Sequence, residues 1–232
     1  MLTEPNKTWL TENYPGLVLG SVAISGQIQF CATYNEQLGQ FLIIRKDTID
    51  NVGGIRLDGN FQVRMCERTD TPFSRLPALH VHGVDRTLDR HFNQSDQSAC
   101  LCSPLEEDDY LKSELDLRRY VEELVIPFLY GQKFYDVHGS WPWLEYSHGP
   151  IGLLESYFKI ADSSKARECW DRLARHPETH ATMRAALKKG TIKGHVICFC
   201  ARRDNIRRCH PIALRGIRLL IADLHSQNTA ES

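Results

Sequence analysis

Residues 90–104 read RHFNQSDQSACLCSP, and the rest of the chain takes its sense from this stretch. Before it, from residue 17 to residue 83, the pattern is that of strands; after it, from Leu105, apolar residues recur at helical spacing. The stretch holds a His-x-Asn, a polar run, and two cysteines separated by a single residue. A thiol in such a place can be a nucleophile, half of a metal site, or a small buried hydrophobe, since free cysteine is among the most buried residue types.

Working upstream, LVLGSVAI (17–24), QIQFCATY (27–34), QFLIIRK (40–46), NFQVRMCER (60–68) and PALHVHG (77–83) are β-branched and aromatic runs separated by Gly, Asn, Asp and Pro. Short successive strands with tight turns predict an antiparallel meander, with a short helix in the first ten residues. Downstream, Leu117, Val121, Leu124, Val125 and Phe128 share one helical face. Ser103-Pro104-Leu105-Glu106 predicts the start of this helix, with Ser103 as N-cap, Pro104 at the first helical position and Glu106 closing a capping box. Such a helix would direct its dipole at Cys102 more than at Cys100, lowering the thiol pKa there. After a Gly/Pro/aromatic connection, helical patterns resume at 152–161, 165–176 and 178–190, with Gly190 as C-cap. The layout predicts an α+β protein: an antiparallel-meander domain over residues 1–160 and a helical, basic appendage over 161–232.

Composition agrees with a globular protein, at 42% hydrophobic and 25% charged residues over 232 positions. The N-terminal MLTEPNKTWLTENYPG carries acids and lacks an apolar stretch of signal-peptide type, and no apolar run approaches the roughly 18 residues of a membrane span. A soluble, cytoplasmic protein without a membrane partner is expected. Eight cysteines scattered along a chain of this size predict reduced thiols, a metal site or a catalytic thiol rather than disulfide staples.

Cys198-Phe199-Cys200, eight residues, then Cys209-His210 supplies four soft ligands within a short segment. Two close pairs joined by a short loop are what a tetrahedral structural zinc site requires. The charge around it is one-sided. From Arg184 to Arg218 ten Lys/Arg face a single acid, Asp204, a balance of +9, so the flanking remainder of a chain with net charge −1 carries −10. Phe199 is the one aromatic residue there, which argues against base stacking and leaves electrostatic docking as the expected role.

The order of these motifs resembles a known family. A strand meander followed by His91-Phe92-Asn93, a short loop, Ala99-Cys100-Leu101 and a helix is similar to ubiquitin-conjugating enzymes, whose motif is His-Pro-Asn followed by an acceptor cysteine in a Cys-Leu context. DRHFNQSDQSACLCSP (89–104), ELVIPFLYGQKFYDVHG (123–139) and YSHGPIGLLESY (146–157) resemble more closely the bacterial ubiquitin-conjugating-like proteins of Bil-type operons, implicated in anti-phage defence. The resemblance runs over roughly residues 9–160. Phe92 stands where the eukaryotic motif has Pro, and Cys102 where the bacterial relatives tend to have Gly. The resemblance implies that Cys100 accepts the C-terminus of a ubiquitin-like protein as a thioester from an activating enzyme and passes it to a protein substrate amine. It further implies that Asn93 stabilises an oxyanion, worth roughly 2.7–4 kcal/mol for a single donor, or braces the loop, with His91 structural before it is chemical. His148, in a Ser-His-Gly-Pro turn, is a weaker candidate. The Cys-x-Cys…Cys-His pattern resembles the SEC-C-type zinc knuckle at the C-terminus of the SecA translocation motor, with Ala201-Arg202-Arg203 where that knuckle has Gly-Ser-Gly. This resemblance implies structural zinc on Cys198, Cys200, Cys209 and His210.

Competing readings are a non-catalytic scaffold that binds a ubiquitin-like protein, a nucleic-acid-binding zinc protein with a regulatory N-terminal domain, and a thiol hydrolase. A scaffold has no need of the cysteine after His-x-Asn, and no third residue is in evidence to orient His91 for hydrolysis.

Overall fold

The computed structural model of the chain describes residues 4–46, 48–68, 74–111, 115–200 and 202–230, the last three as backbone only. Two compact units divide it: residues 1–102 with 107–145, and residues 103–106 with 146–232. Each is α-helical in part, and the first contains an antiparallel sheet, so the chain is α+β.

In the first unit, α1 (Glu4–Asn13) precedes β1 (Leu17–Leu19), β2 (Ala23–Asn35), β3 (Gln40–Ile44), β4 (Ile55–Cys66) and β5 (Ala78–Val81). The sheet runs β1-β2-β4-β5, all antiparallel, with β3 off this path and paired to β2 beyond β1. The turn expected near residue 25 is absent: β2 continues through Gly26, whose φ of +138 suits glycine alone. A Cβ there would meet the Gly16 carbonyl oxygen at 2.2 Å, so the glycine lets β1 approach closely. Alternation along β2 and β4 turns Ile24, Ile28, Phe30 and Ala32, with Phe61, Val63 and Met65, to one buried face. Each large side chain so buried contributes about 1.5–3 kcal/mol.

That face packs with α2 (Leu117–Arg119), a π-helical stretch (Tyr120–Val125) and α3 (Ile126–His138) into one core. Asp116 caps α2, its carboxylate accepting from the Arg119 N–H. Pro127 has no N–H to donate to the preceding turn, and the wider π turn ends just before it. The helix expected from Ser103 does not form among the described residues. Ser103 and Glu106 do make part of a capping box, Ser103 N–H to Glu106 Oε2 at 3.0 Å, but the chain turns there and continues only as a short 3-10 turn, Glu107–Asp109. The helical face Leu117–Phe128 is real and takes its start from Asp116; residues 112–114 lie outside the described set.

The second unit holds α4 (Pro150–Ile160), α5 (Ala166–Leu173), α6 (Pro177–Lys189), α7 (Ile206–Cys209) and α8 (Pro211–Ala230). Gly190 ends α6 with φ 68, as its sequence position predicts. The division falls at Glu145/Tyr146 rather than at 160/161, because α4 buries Leu154 and Tyr157 in the core shared with α5, α6 and α8. A Cβ on Gly216 of α8 would sit 2.0 Å from the Leu154 carbonyl oxygen, so this glycine permits the close crossing of α4 and α8. No helix among the described residues is long and apolar enough to cross a membrane.

Candidate functional site

The loop after β5 is built backbone first. A 3-10 turn, Leu88–Arg90, ends on His91 in the left-handed conformation, φ 57. Phe92 then pairs with Ala99 across an antiparallel bridge. The Asn93 N–H donates to the Ser98 carbonyl at 2.8 Å and the Gln97 N–H to the Asn93 carbonyl at 2.8 Å, with Gln97 itself at φ 58. Two non-glycine residues at positive φ in one short loop cost conformational energy that surrounding contacts must offset. Those contacts are present. Phe92, fully buried, meets Phe128 of α3 edge-on at 5.5 Å, which gives a physical reason for an aromatic residue at this position. Gln132 donates to the Arg90 carbonyl, and the Trp141 indole N–H donates to the Asp89 carbonyl at 2.9 Å.

The structure brings His91, Asn93 and Cys100 into this one loop. The Cys100 N–H donates to the His91 carbonyl at 2.7 Å. The His91 ring lies edge-on to Trp141 at 4.8 Å, with Nε2 3.7 Å from a Glu145 carboxylate oxygen. Asn93 Nδ2 donates to Ser98 Oγ at 3.0 Å, so its amide braces the loop in the free protein. Behind it stands Arg68, whose guanidinium donates to Ser98 Oγ at 2.8 Å, pairs with Asp96 and reaches the Leu76 carbonyl. Against the burial that would raise it, hydrogen bonds from Ser98 and the Arg68 charge hold the Asp96 pKa below the usual carboxylate range.

Cys100 is exposed, whereas its neighbours Ser98 and Ala99 are buried. Protein crowding its sulfur disfavours the thiolate and pushes the pKa up to about 11; the carboxylates of Glu145 and Glu107 add to the rise and Arg68 opposes it. Because the residue keeps a face to solvent, the direction of that shift carries the chemistry: the thiol stays protonated at neutral pH and needs a base to react. Cys102 is half-buried against the first unit's core. Without a helix start after it, the dipole argument that favoured Cys102 loses its basis. His148 precedes α4 in the second unit, next to Ser147, whose N–H donates to Glu155 Oε2 at 2.8 Å.

In the second unit, Cys198, Cys200, Cys209 and His210 place one ligand atom each within 4.8 Å of one another. Cys198 Sγ lies 3.1 Å from His210 Nδ1, and Cys200 Sγ lies 3.3 Å from Cys209 Sγ. Metal–ligand bonds of about 2.0–2.3 Å in a tetrahedron require ligand atoms roughly 3.5 Å apart, so the set fits one four-coordinate ion. The local fold explains the fit. Ile197 bridges Asn205, the Cys198 N–H donates to the Asp204 carbonyl at 2.7 Å, and Arg203 reverses the chain at φ 52. Where the zinc knuckle it resembles has its second glycine, this chain turns through Arg203; Ala201 lies outside the described residues. Burial pushes the Cys198 thiol up to about 12. Cys200, against the burial that would raise it, is brought down to about 7 by hydrogen bonds from the Cys209 and Cys198 thiols and from the Arg202 and Arg203 amides. Cys209 is raised, chiefly by its bond to Cys200. Four protein ligands leave no open position, so a bound ion would staple the fold rather than activate water.

Neither a protein-family model, nor a curated protein, nor a solved structure matches the chain.

Sequence reasoning found the Cys/His cluster and the His-x-Asn loop but missed what holds the loop. Arg68, Trp141 and Glu145 come from β4's far end and from the connection after α3, and no local spacing links them to Cys100. The WPW at 141–143 was the one available hint.

Proposed function

We propose that the chain is a conjugating transferase for a ubiquitin-like protein, and that its second unit carries structural zinc on Cys198, Cys200, Cys209 and His210. The observation that carries the first part is the presentation of Cys100: a solvent-exposed residue on a loop that buried His91, Phe92, Ser98 and Ala99 and their hydrogen bonds hold in place. A reactive thiol that must meet two large partners in turn benefits from being exposed and from being fixed. The element order supports the same reading, with α1, the four-strand path β1-β2-β4-β5, the His91-x-Asn93 loop, Cys100 and then the α2–α3 helix in the sequence that ubiquitin-conjugating enzymes show.

In this reading Cys100 Sγ attacks the thioester that joins the ubiquitin-like protein to its activating enzyme. The new C–S bond forms as the old one breaks, and the activating enzyme's thiol leaves with the proton. A substrate amine then attacks the same carbonyl carbon; the C–N bond forms, Cys100 leaves and regains a proton, and the amine's surplus proton passes to solvent or a nearby carboxylate. Asn93 holds the loop through Ser98, and His91 holds the Cys100 amide through its carbonyl. The raised pKa means that the partner enzyme, or a base it brings, deprotonates the thiol. The setting that accompanies this reading is bacterial anti-phage defence in the cytoplasm.

The raised pKa also favours a second reading, a scaffold that binds a ubiquitin-like protein without taking it covalently. The two part in one experiment. Incubation with a candidate ubiquitin-like protein, its activating enzyme and ATP is followed by non-reducing gel and intact mass. A thiol-labile adduct in the wild type, replaced in Cys100→Ser by a thiol-resistant, hydroxylamine-sensitive ester, supports the transferase. The same switch in Cys102→Ser moves the acceptor two residues on. No adduct with a partner already shown to be activated leaves the scaffold.

A further inference from the structure

The segment around the Cys/His cluster carries a surface that the thiol chemistry does not use. Lys188 and Lys189 end α6, Lys193 follows the Gly190 cap, Arg202 lies in the cluster's turn, and Arg207 and Arg208 lie on α7. All six are exposed, and none has a carboxylate within 4.0 Å among the described residues; the neighbouring Arg203 alone pairs, with Glu178. Backbone contacts tie together the segments that carry them. The Arg207 N–H donates to the Gly194 carbonyl at 3.1 Å, the Thr191 N–H to the Ala186 carbonyl, and the Ile197–Asn205 bridge closes the loop between them. Uncompensated like charges at such density repel one another and cost stability unless a partner of opposite sign neutralises them.

Two apolar residues of the same stretch of chain are also exposed: Ile197, next to the Cys198 ligand, at 57%, and Ile212, at the start of α8, at 36%. A phosphate backbone has no use for them, whereas a protein partner does, because interface energy concentrates in apolar anchors ringed by charge. Before Cys198 the chain makes a turn, the Val196 N–H donating to the Lys193 carbonyl at 3.2 Å, in which Lys193, His195 and Ile197 are exposed while Cys198 is buried. Charge and apolar anchor are thus exposed together within one short turn.

We infer that this surface docks an acidic protein segment bearing aliphatic side chains. The inference rests on the second unit alone and stands or falls independently of any adduct at Cys100.

The test uses the full chain and three fluorescent probes read by anisotropy at physiological salt: a glutamate-rich peptide carrying isolated leucines, the same peptide with serine at those positions, and a duplex DNA. The leucine peptide is expected to bind about tenfold more tightly than the serine peptide, the effect of one buried anchor. Ile197→Ser should erase that difference. Lys188→Glu with Lys189→Glu, on α6 and away from the ligand residues, should weaken both peptides about tenfold while leaving metal content and helicity unchanged. Three outcomes overturn the inference: binding of no probe, peptide binding indifferent to the charge reversals, or DNA bound more tightly than the leucine peptide with the steep salt dependence of phosphate contacts.

Discussion

The turn that carries Cys100 and the turn that carries Cys200 both reverse the chain through a left-handed non-glycine residue, Gln97 at φ 58 in one and Arg203 at φ 52 in the other. Both place a sulfur beside backbone groups fixed by an isolated bridge, Phe92–Ala99 and Ile197–Asn205. Their sulfurs are tuned in opposite directions. Burial, with nearby carboxylates adding to it, pushes the Cys100 thiol up to about 11, while at Cys200 amide and thiol donors overcome burial and bring it down to about 7. Amide and thiol donors favour the anion, which is the metal-binding form; carboxylates and crowding favour the protonated thiol, which waits for a partner. The difference teaches that two cysteines in similar turns acquire different chemistry from what stands a few ångströms away.

The largest expected effect comes from breaking the Cys200 side of the comparison. Cys209→Ser removes one of four ligands, and metal content measured on the purified chain should fall from one zinc per chain to well below half. Structural zinc stabilises small peptides by roughly 10–16 kcal/mol. The second unit has its own core of α4, α5, α6 and α8, so only part of that should appear, as a lowered melting transition of the second unit with the first unchanged. A wild-type chain that holds no zinc, and melts identically with and without chelator, would show the cluster to be four cooperating hydrogen-bonding side chains and no more.

Next in size is the support of the Cys100 loop. The Arg68 side chain is 9% exposed and serves Asp96, Ser98 and the Leu76 carbonyl together. Arg68→Ala removes one donor from each of these groups, and because the Asp96 side chain is 29% exposed and keeps its hydrogen bonds from Ser98, the cost should be about 1–3 kcal/mol. The Asp96 pKa is depressed in the folded state, so its stabilising contribution is present above the unfolded value near 4 and is lost as pH falls through the folded one. The difference in unfolding free energy between wild type and Arg68→Ala should therefore shrink as urea titrations are carried below about pH 4. A difference that stays constant with pH would mean that Arg68 acts through packing rather than charge.

These two regions were unequally legible. Every ligand of the Cys/His cluster lies within Cys198–His210, so spacing alone identified the set, and local hydrogen bonds then gave the shape. The Cys100 loop was legible only as His91, Asn93 and the thiol itself. Its support comes from Arg68, just past the end of β4, and Trp141 after α3, and Trp141 can lie there only because Gly131 has no Cβ, which would meet the indole at 2.0 Å. Such long-range packing leaves no period or spacing to read. Ser103-Pro104-Leu105-Glu106 shows the converse error. The capping-box contact formed, yet no helix followed, because a local signal worth about 1 kcal/mol cannot propagate a helix that tertiary packing does not favour. The helix α8 was missed for a different reason. Ala213, Leu214, Ile217, Leu220, Ile221 and Leu224 are all buried at helical spacing, and the period was present in a stretch weighed for its charge, with Arg215 and Arg218 closing the basic segment.

The smallest effect sharpens the Cys100 side. After burial, Glu145 is the leading influence raising that thiol, ahead of Glu107, with Arg68 opposing. Glu145→Gln keeps the size and hydrogen-bonding edges of the side chain but removes its charge, so forming the thiolate becomes easier and the pKa falls. At a fixed pH below that pKa, a drop of half a unit to one unit multiplies the thiolate fraction by about three to ten. Alkylation by iodoacetamide consumes the thiolate, and peptide mapping separates Cys100 from the other seven cysteines. In the wild type the Cys100 rate should climb about tenfold per pH unit from pH 7 toward 10. In Glu145→Gln it should run about three- to tenfold faster across that range, and the gap should narrow as salt screens the carboxylate in the wild type. Equal rates in the two proteins would remove Glu145 from the account and leave burial as the dominant cause of the rise. The opposite tuning of the two turns would then rest on desolvation at Cys100 against hydrogen-bond donation at Cys200, and not on the sign of neighbouring charge.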